Sequence, residues 1–197
     1  MCKRCFDLLA SLIGLLVLAP FFLLIALAIK LDSPGPVFFR QNRVGRHEKL
    51  FRIHKFRSMV CNAEREGLQI TLSEDPRVSR VGGVLRKNKL DELPQLIDVF
   101  AGNMSLVGPR PEVPRYVACY PSKARETILS VRPGITDRAS IEFRAESEIL
   151  GRSDDPQRAY IEEVLPIKIK IYTQYVRERS FWGDIRIIFD TLRAILR

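Results

Sequence analysis

The sequence predicts a mixed α/β chain that is mostly helical. Its parts are a re-entrant N-terminal membrane helix broken at a proline, a small β-hairpin, and amphipathic helices lying at a membrane interface. Three observations carry this reading. The run LLASLIGLLVLAPFFLLIALAI, from Leu8 to Ile29, holds no charge and a single proline, Pro20. Two stretches mixing apolar and basic residues flank a turn at Gly45 to Glu48. Apolar residues then recur at three- and four-residue intervals from Leu93 and again from Phe181, the spacing of one helix face.

As a helix the first run would be about 33 Å long, enough to cross a bilayer. A secretory signal peptide would account for Lys3, Arg4 and the small residues around Ala26 to Ala28, but its apolar part is normally shorter. A single span accounts for the length alone. A hairpin that enters one leaflet and turns back accounts for two more features. Pro20 removes a backbone hydrogen bond in mid-run and clashes with the Leu16 carbonyl. Positive charge also flanks both ends, with Lys3 and Arg4 before the run and Lys30, Arg40, Arg43 and Arg46 after it. That pattern holds both ends on the cytoplasmic side. The re-entrant hairpin is therefore preferred, with Ser11 expected to serve the backbone groups that Pro20 frees. Residues 1–31 form the membrane helix, and residues 32–197 form one cytoplasmic-face catalytic domain.

Asp32 to Pro36 is a turn cluster that ends the apolar helix. VFFRQNRVG and KLFRIHKFRSM read as a β-hairpin, and ITLSEDPRVSRVGGVLRK as loop followed by a short helix. Leu93, Leu96, Ile97 and Phe100 make a helical stripe ending at Gly102, and VGPRPEVPRY is too rich in proline for anything but a shaped loop. In VLPIKIKIYTQYV the alternation of Ile167, Ile169 and Ile171 suits a strand, but the segment is long for one and a helix is preferred. In FWGDIRIIFDTLRAILR, Phe181, Ile185, Ile188, Leu192 and Ile195 share a stripe, while Arg186, Arg193 and Arg197 lie elsewhere. This suits a helix in a membrane interface with Trp182 near the headgroups. The other reading is a helix docked on the protein's own core.

A chain of 197 residues with a net charge of +9 is one ordinary domain with an anionic partner: nucleic acid, an acidic membrane surface or a phosphorylated substrate. Nucleic acid ranks last, because no motif for it appears and it leaves the apolar helix unexplained. Cys2 and Cys5 form a lone C-x-x-C without a second pair, so no zinc site or disulfide framework is expected. Those two, Cys61 and Cys119 are read as free thiols, with Cys2 and Cys5 placed for acylation near a membrane.

The most unusual stretch is RKNKLDELPQL, which sets Asp91 and Glu92 side by side just after Arg86, Lys87 and Lys89. If a helix begins near Leu90, both carboxylates lie in its first turn, where Pro94 is tolerated. The helix dipole and the neighbouring cations would favour an ionised Asp91. Side chains one residue apart diverge by roughly 100°, so two carboxylates can address one pocket as nucleophile and general acid/base. A carboxylate attacking a phosphate needs cations around the phosphoryl oxygens. Arg86, Lys55, Arg57 and Arg110 are available, and Mg²⁺ could bridge Asp91 to a diphosphate. Taken alone, the two acids are equally ordinary residues for a helix start.

KRCFD, the proline-broken apolar helix, KFRSM, RKNKLDELPQLIDVFAGNMSLVGPRPE and RPGIT follow in that order. Together they resemble the monotopic bacterial phosphoglycosyl transferases, the polyprenol-phosphate sugar-phosphate transferases of glycoconjugate assembly. The likeness runs from about Lys3 to the C-terminal helix, and it implies a two-step reaction at the cytoplasmic face of the bacterial inner membrane. The aspartate matching Asp91 attacks the β-phosphate of a UDP-sugar, UMP leaves, and polyprenol (undecaprenyl) phosphate takes the sugar phosphate from the enzyme, with Mg²⁺ assisting. By position, Asp91 is the nucleophile and metal ligand, and Glu92 an acid/base or metal-tuning neighbour. Lys55, Arg57 and Arg86 would bind phosphate, Arg110 and Pro111 would shape the nucleotide or phosphate pocket, and Lys3 and Arg4 would seat the helix at anionic inner-membrane lipids.

The chain departs from the family pattern at Lys89, where relatives carry Ser or Thr, and at Asn103, where they carry Asp. It departs again in DRASIEFRAE, Asp137 to Glu146, which is expected to touch the sugar. The expectation is a minimal catalytic form, with its sugar, glycan pathway and any homo-oligomer left open. The rival reading is a non-catalytic basic membrane protein that binds anionic lipid or polyphosphate.

Overall fold

A computed structural model describes residues 2–60, 75–143, 150–151 and 153–196; Cys61, Arg144 to Glu146 and Arg197 lie outside them. The chain is mostly helical with two small sheets. Helix α1, Cys2–Asp32, is a single helical element with Pro20 inside it, where the sequence predicts a break. Proline removes one backbone hydrogen bond, yet its φ suits a helix. Ser11 does not serve the proline, because its Oγ donates to the Leu8 carbonyl at 3.1 Å, one turn back.

Strands β1, Phe38–Val44, and β2, Leu50–Phe56, form the expected antiparallel hairpin, with Phe38 opposite Phe56 and Val44 opposite Leu50. Helix α2, Arg80–Lys87, is capped by Ser79, whose side chain accepts from Gly82 N. A 3₁₀ turn, Leu90–Glu92, leads through Pro94 into α3, Gln95–Phe100. Strands β3, Ser105–Val107, and β4, Gly134–Thr136, pair in parallel. The glycines explain that pairing: a Cβ on Gly134 would lie 2.1 Å from Gly108 N, so only glycine lets the GPRP and RPGIT blocks touch. Short helices α4 (Pro114–Val117), α5 (Ser122–Leu129) and α6 (Arg138–Glu142) follow. Helix α7, Pro156–Ala159, passes through a π turn, Tyr160–Val164, into α8, Leu165–Glu178. The segment with alternating isoleucines is thus helical. Helix α9, Phe181–Leu196, ends the described chain.

The largest apolar core joins Val44 of β1, Tyr116 of α4, Ile128 of α5 and Leu165 and Tyr172 of α8. A second joins Ile25 and Ile29 of α1 to Phe56 and Leu85, each buried side chain stabilising by roughly 1.5–3 kcal/mol. Both ends of α1 are tied to the same body. At its start Lys3 pairs with Asp184 of α9 and donates to the Val107 carbonyl at 3.1 Å. Asp7 accepts from Ser105 Oγ at 2.8 Å and from Leu106 N at 3.2 Å. At the other end Asp32 accepts from Val81 N at 3.1 Å. Much of the remaining α1 surface is bare, with Leu16, Val17, Leu23 and Leu24 all exposed. Helix α9 divides its apolar residues: Ile187 and Ile188 pack against Val107 and Tyr175, while Trp182, Phe189 and Leu192 face outward. The helix docks by one face and exposes another.

Candidate active site

Five elements converge on Asp91 and Glu92. Lys89 adopts the left-handed conformation, φ 57°, which turns the chain from α2 into the 3₁₀ turn that carries both acids. Strand β2 supplies Lys55, the last turn of α2 supplies Arg86, and the Gly108–Pro111 loop supplies Arg110. The residue after β4, Asp137, closes the group; it caps α6 by accepting from Ser140 N at 2.8 Å.

Glu92 is the hub of the cations. Lys55 Nζ donates to Glu92 Oε1 at 2.8 Å, and Arg110 Nη1 donates to Oε2 at 2.9 Å, while its Nη2 pairs with Oε1. The fork of Arg110 thereby grips the carboxylate through both oxygens. Burial alone would raise the Glu92 carboxyl, but Arg110 and Lys55 outweigh it and hold the group well below the usual carboxylate range. Glu92 in return pushes the Arg110 guanidinium well above its ordinary value. Burial draws the Lys55 ammonium downward against the pull of Glu92.

Asp91 is the opposite case. It is 8% exposed and has no hydrogen-bond partner among the described residues. Burial raises its carboxyl, the charge on Glu92 raises it further, and Lys55, Arg86 and Arg110 counter only in part. The expectation of an acid strengthened by the helix dipole is therefore reversed. The turn is three residues long, and desolvation together with a like charge outweighs what its terminus supplies. A buried carboxylate without a donor among the described residues, beside three cations, has the chemistry a nucleophile requires.

The sequence profile of the bacterial sugar transferase family matches residues 1–197. The chain belongs to the bacterial sugar transferase family. It is 41% identical over 196 residues to a UDP-N-acetylgalactosamine-undecaprenyl-phosphate N-acetylgalactosaminephosphotransferase of Aeromonas hydrophila, covering 98% of this chain and 43% of that protein. It is 42% identical over 197 residues to an undecaprenyl-phosphate glucose phosphotransferase of Komagataeibacter xylinus, covering 97% of this chain and 35% of that protein. With the exopolysaccharide production protein PSS of Rhizobium leguminosarum bv. phaseoli it shares 40% identity over 200 residues, 96% of this chain and 92% of that one. The chain thus spans less than half the length of the first two relatives and nearly all of the third.

For this bacterial sugar transferase chain, the residues singled out in the sequence fall into two groups. Asp91, Glu92, Lys55 and Arg110 come together, with Arg86 beside them. Pro111 is buried next to Arg110 and offers its carbonyl to Arg43 Nη1 at 3.1 Å. Arg57 is elsewhere: it donates to the carbonyls of Pro34 at 2.7 Å and Ser33 at 2.6 Å, closing the end of α1. Exposed carbonyls at a helix C-terminus attract a guanidinium, so Arg57 is a cap and not a phosphate ligand in this structure. Lys3 is likewise taken by buried Asp184, and Arg4 donates to the Val99 carbonyl at 2.8 Å at the end of α3. Both hold α1 to the body of the protein. Trp182 is 78% exposed, and Pro20 is also exposed. Asn103 is exposed in the turn after α3.

Sequence reasoning missed a second buried layer behind Arg110. Tyr160 donates to Glu112 Oε1 at 2.6 Å, Arg43 Nη1 lies 3.8 Å from Glu112 Oε2, and Lys168 lies 3.5 Å from the Tyr160 hydroxyl. Glu112 follows the GPRP loop directly, which was the one available signal. Nothing local marks Tyr160 or Lys168.

Proposed function

We propose that this chain transfers a sugar 1-phosphate from a UDP-sugar to undecaprenyl (polyprenol) phosphate, releasing UMP through a covalent intermediate on Asp91. This would be the first membrane step in building a bacterial glycoconjugate. The observation that carries the proposal is the unrestrained, buried Asp91 carboxylate beside Lys55, Arg86 and Arg110, in a chain whose relatives are named for this chemistry. An Asp91 Oδ bonds to the β-phosphorus as the bond from that phosphorus to the bridging oxygen breaks, and UMP departs with that oxygen. An oxygen of polyprenol phosphate then bonds to the same phosphorus, and the Asp91 carboxylate is released. The three cations offset the repulsion between carboxylate and diphosphate. Glu92, ionised and gripped from two sides, orients Lys55 and Arg110 rather than moving a proton.

Mg²⁺ fits this donor set through its usual habit of one or two carboxylates plus substrate phosphates. Asp91 has a carboxylate to offer, whereas Glu92 is already spoken for. Among the described residues no group of three or more metal-ligating side chains occurs, so the substrate diphosphate and water would supply the remaining oxygen ligands. Bound there, the ion would neutralise charge on the leaving phosphate.

The same proposal places α1 in one leaflet at the cytoplasmic face of the inner membrane. What supports it is that both ends of a helix about 46 Å long bind one body, which a straight crossing of a core about 30 Å thick would not allow. The bare apolar faces of α1 and α9 would then meet lipid. With Cys2 kept as the sole cysteine, an impermeant maleimide should label it only from the cytoplasmic side; labelling from outside would sink the re-entrant arrangement. For the reaction, UMP release is to be followed over a panel of UDP-sugars with Mg²⁺ and polyprenol phosphate. Release with one sugar that disappears in Asp91→Asn is expected, and persistence in that variant would refute the covalent mechanism.

A further inference from the structure

The buried face of the helical stretch that follows Lys89 is polar. Its buried residues are Asp91, Pro94, Gln95, Asp98 and Val99, spaced three and four apart as one helical face requires. Asp98 is fully engaged on β2, accepting from His54 N at 2.8 Å and meeting His54 Nδ1 at 2.8 Å. Gln95 is not. It is 1% exposed, and neither its Oε1 nor its Nε2 has a hydrogen-bond partner among the described residues. A buried amide left unpaired is costly, and an apolar side chain of the same length would fill the space without that cost.

One turn away stands the matching deficit, since Asp91 is buried and likewise without a donor. Asp91 lies in the 3₁₀ turn and Gln95 opens α3, with Leu93 and Pro94 continuing a helical path between them, and glutamine–aspartate pairs four apart on such a path can form side-chain hydrogen bonds. We infer that Gln95 is a positioning residue of the active site, whose carboxamide N–H holds the ionised Asp91 carboxylate in its attacking orientation during the reaction. The inference rests on Asp91 being the nucleophile. The amide is the neutral member of the set around Asp91. The charged members are Glu92 on the same turn, Lys55 on β2, Arg86 on α2 and Arg110 on the GPRP loop. Each of those either repels Asp91 or is shared with Glu92 or the diphosphate. Gln95 alone adds a donor without adding a charge that would pair with the carboxylate and quench it. Its retention resembles other cases in which a site keeps a locally unfavourable group for function.

The test compares Gln95→Met, near in length and apolar, with Gln95→Glu, which removes the donor and keeps the length. Asp91→Asn runs beside them, and UMP release is read in single turnover. Gln95→Met is expected to melt at or above the wild-type temperature, because two unpaired polar atoms are gone. Its rate of UMP release should fall by about tenfold, the loss of one hydrogen bond to a charged group, with KM for the UDP-sugar unchanged. Gln95→Glu should lose at least as much rate. A Gln95→Met protein that releases UMP at the wild-type rate, or one whose loss lies in KM alone, would overturn the inference, whatever its melting temperature. If Asp91→Asn itself still releases UMP, it is the nucleophile reading that fails, and the two failures are told apart.

Discussion

The outer surface of α1 and the centre around Glu92 invert the usual arrangement of a protein. Along α1, leucines and valines such as Leu16, Val17 and Leu23 stand exposed, whereas the centre encloses Asp91, Glu92, Lys55, Arg110 and Asp137. Each region is unstable on ordinary rules. Bare apolar surface of this extent needs a partner, and buried charges need compensation. The two are compensated differently. The charges are paired inside the chain, with Glu92 gripped by two cations and Asp7, Asp98 and Asp184 each bound to donors, and Asp91 is left over. The apolar surface finds no partner among the described residues, and α1 is long and apolar enough to be a membrane anchor. Stability is therefore made locally at the charged centre and borrowed from surroundings along α1, and among the described buried carboxylates Asp91 alone is left without a donor.

The sharpest way to break that contrast is to neutralise Asp91. Asp91→Asn should lower turnover by at least about 10⁴-fold, the scale of removing a nucleophile. It should also raise the melting temperature by a few degrees, at about 2–4 °C per kcal/mol for a chain this long. The direction follows from linkage. A carboxyl raised by folding adds stability below its unfolded pKa and loses it as pH rises through its folded pKa, so at neutral pH the ionised form is a cost. A calorimetric melt beside an UMP assay checks both.

Removing Glu92 should do the reverse. Glu92→Gln leaves Lys55 and Arg110 without their carboxylate, which is expected to cost about 2 kcal/mol. Rate should fall on the order of 10²-fold through misplaced cations. Because folding lowers the Glu92 carboxyl, its stabilisation is present above the unfolded pKa and disappears as the pH falls through the folded one. Acid unfolding of the wild type should therefore be steeper than that of the variant.

Along α1, the comparison is tested by matched substitutions. Ile29→Ala, in the core with Phe56, should lower stability in detergent by about 2–5 kcal/mol. Leu23→Gln, on the bare side, should change it by less than about 0.5 kcal/mol yet weaken vesicle binding by about tenfold. Equal effects at the two positions in detergent would mean that the bare face is covered by protein. The smallest effect is on pH. The acid limb of turnover should lie above the ordinary aspartate range, since burial and Glu92 both raise Asp91.

Much of this was legible in the residues. The charge-free run from Leu8 to Ile29, the hairpin around Gly45 and the pairing of Asp91 with Glu92 are local properties. Periodicity, turn residues and adjacency in the chain are enough to find them. The helical stripe of Leu93, Leu96, Ile97 and Phe100 was also found, but it marks the outer side of α3, with Leu96 against Gly14 of α1 and Phe100 exposed. The inward face carries Asp91, Gln95 and Asp98 beside Val99, because this stretch turns toward the charged centre as well as the apolar core. The contact of Gly108 with Gly134 could not be read, since two three-residue strands far apart in sequence leave no periodic trace.

What the sequence by itself determined was the inventory: which acids, which cations and which apolar segment the protein has. Which cation serves which acid was decided by tertiary structure. Arg57, Lys3 and Arg4 looked like the rest of the basic set, yet folding spends them on helix ends and on Asp184. Lys55 and Arg110 instead converge on Glu92 from β2 and a distant loop. The reason is physical: a charge's partner depends on distance through space and on exclusion of water, and neither is a property of position along the chain. The proton affinity of Asp91 shows the same dependence, because its neighbours argue for a strong acid and its burial makes it a weaker one.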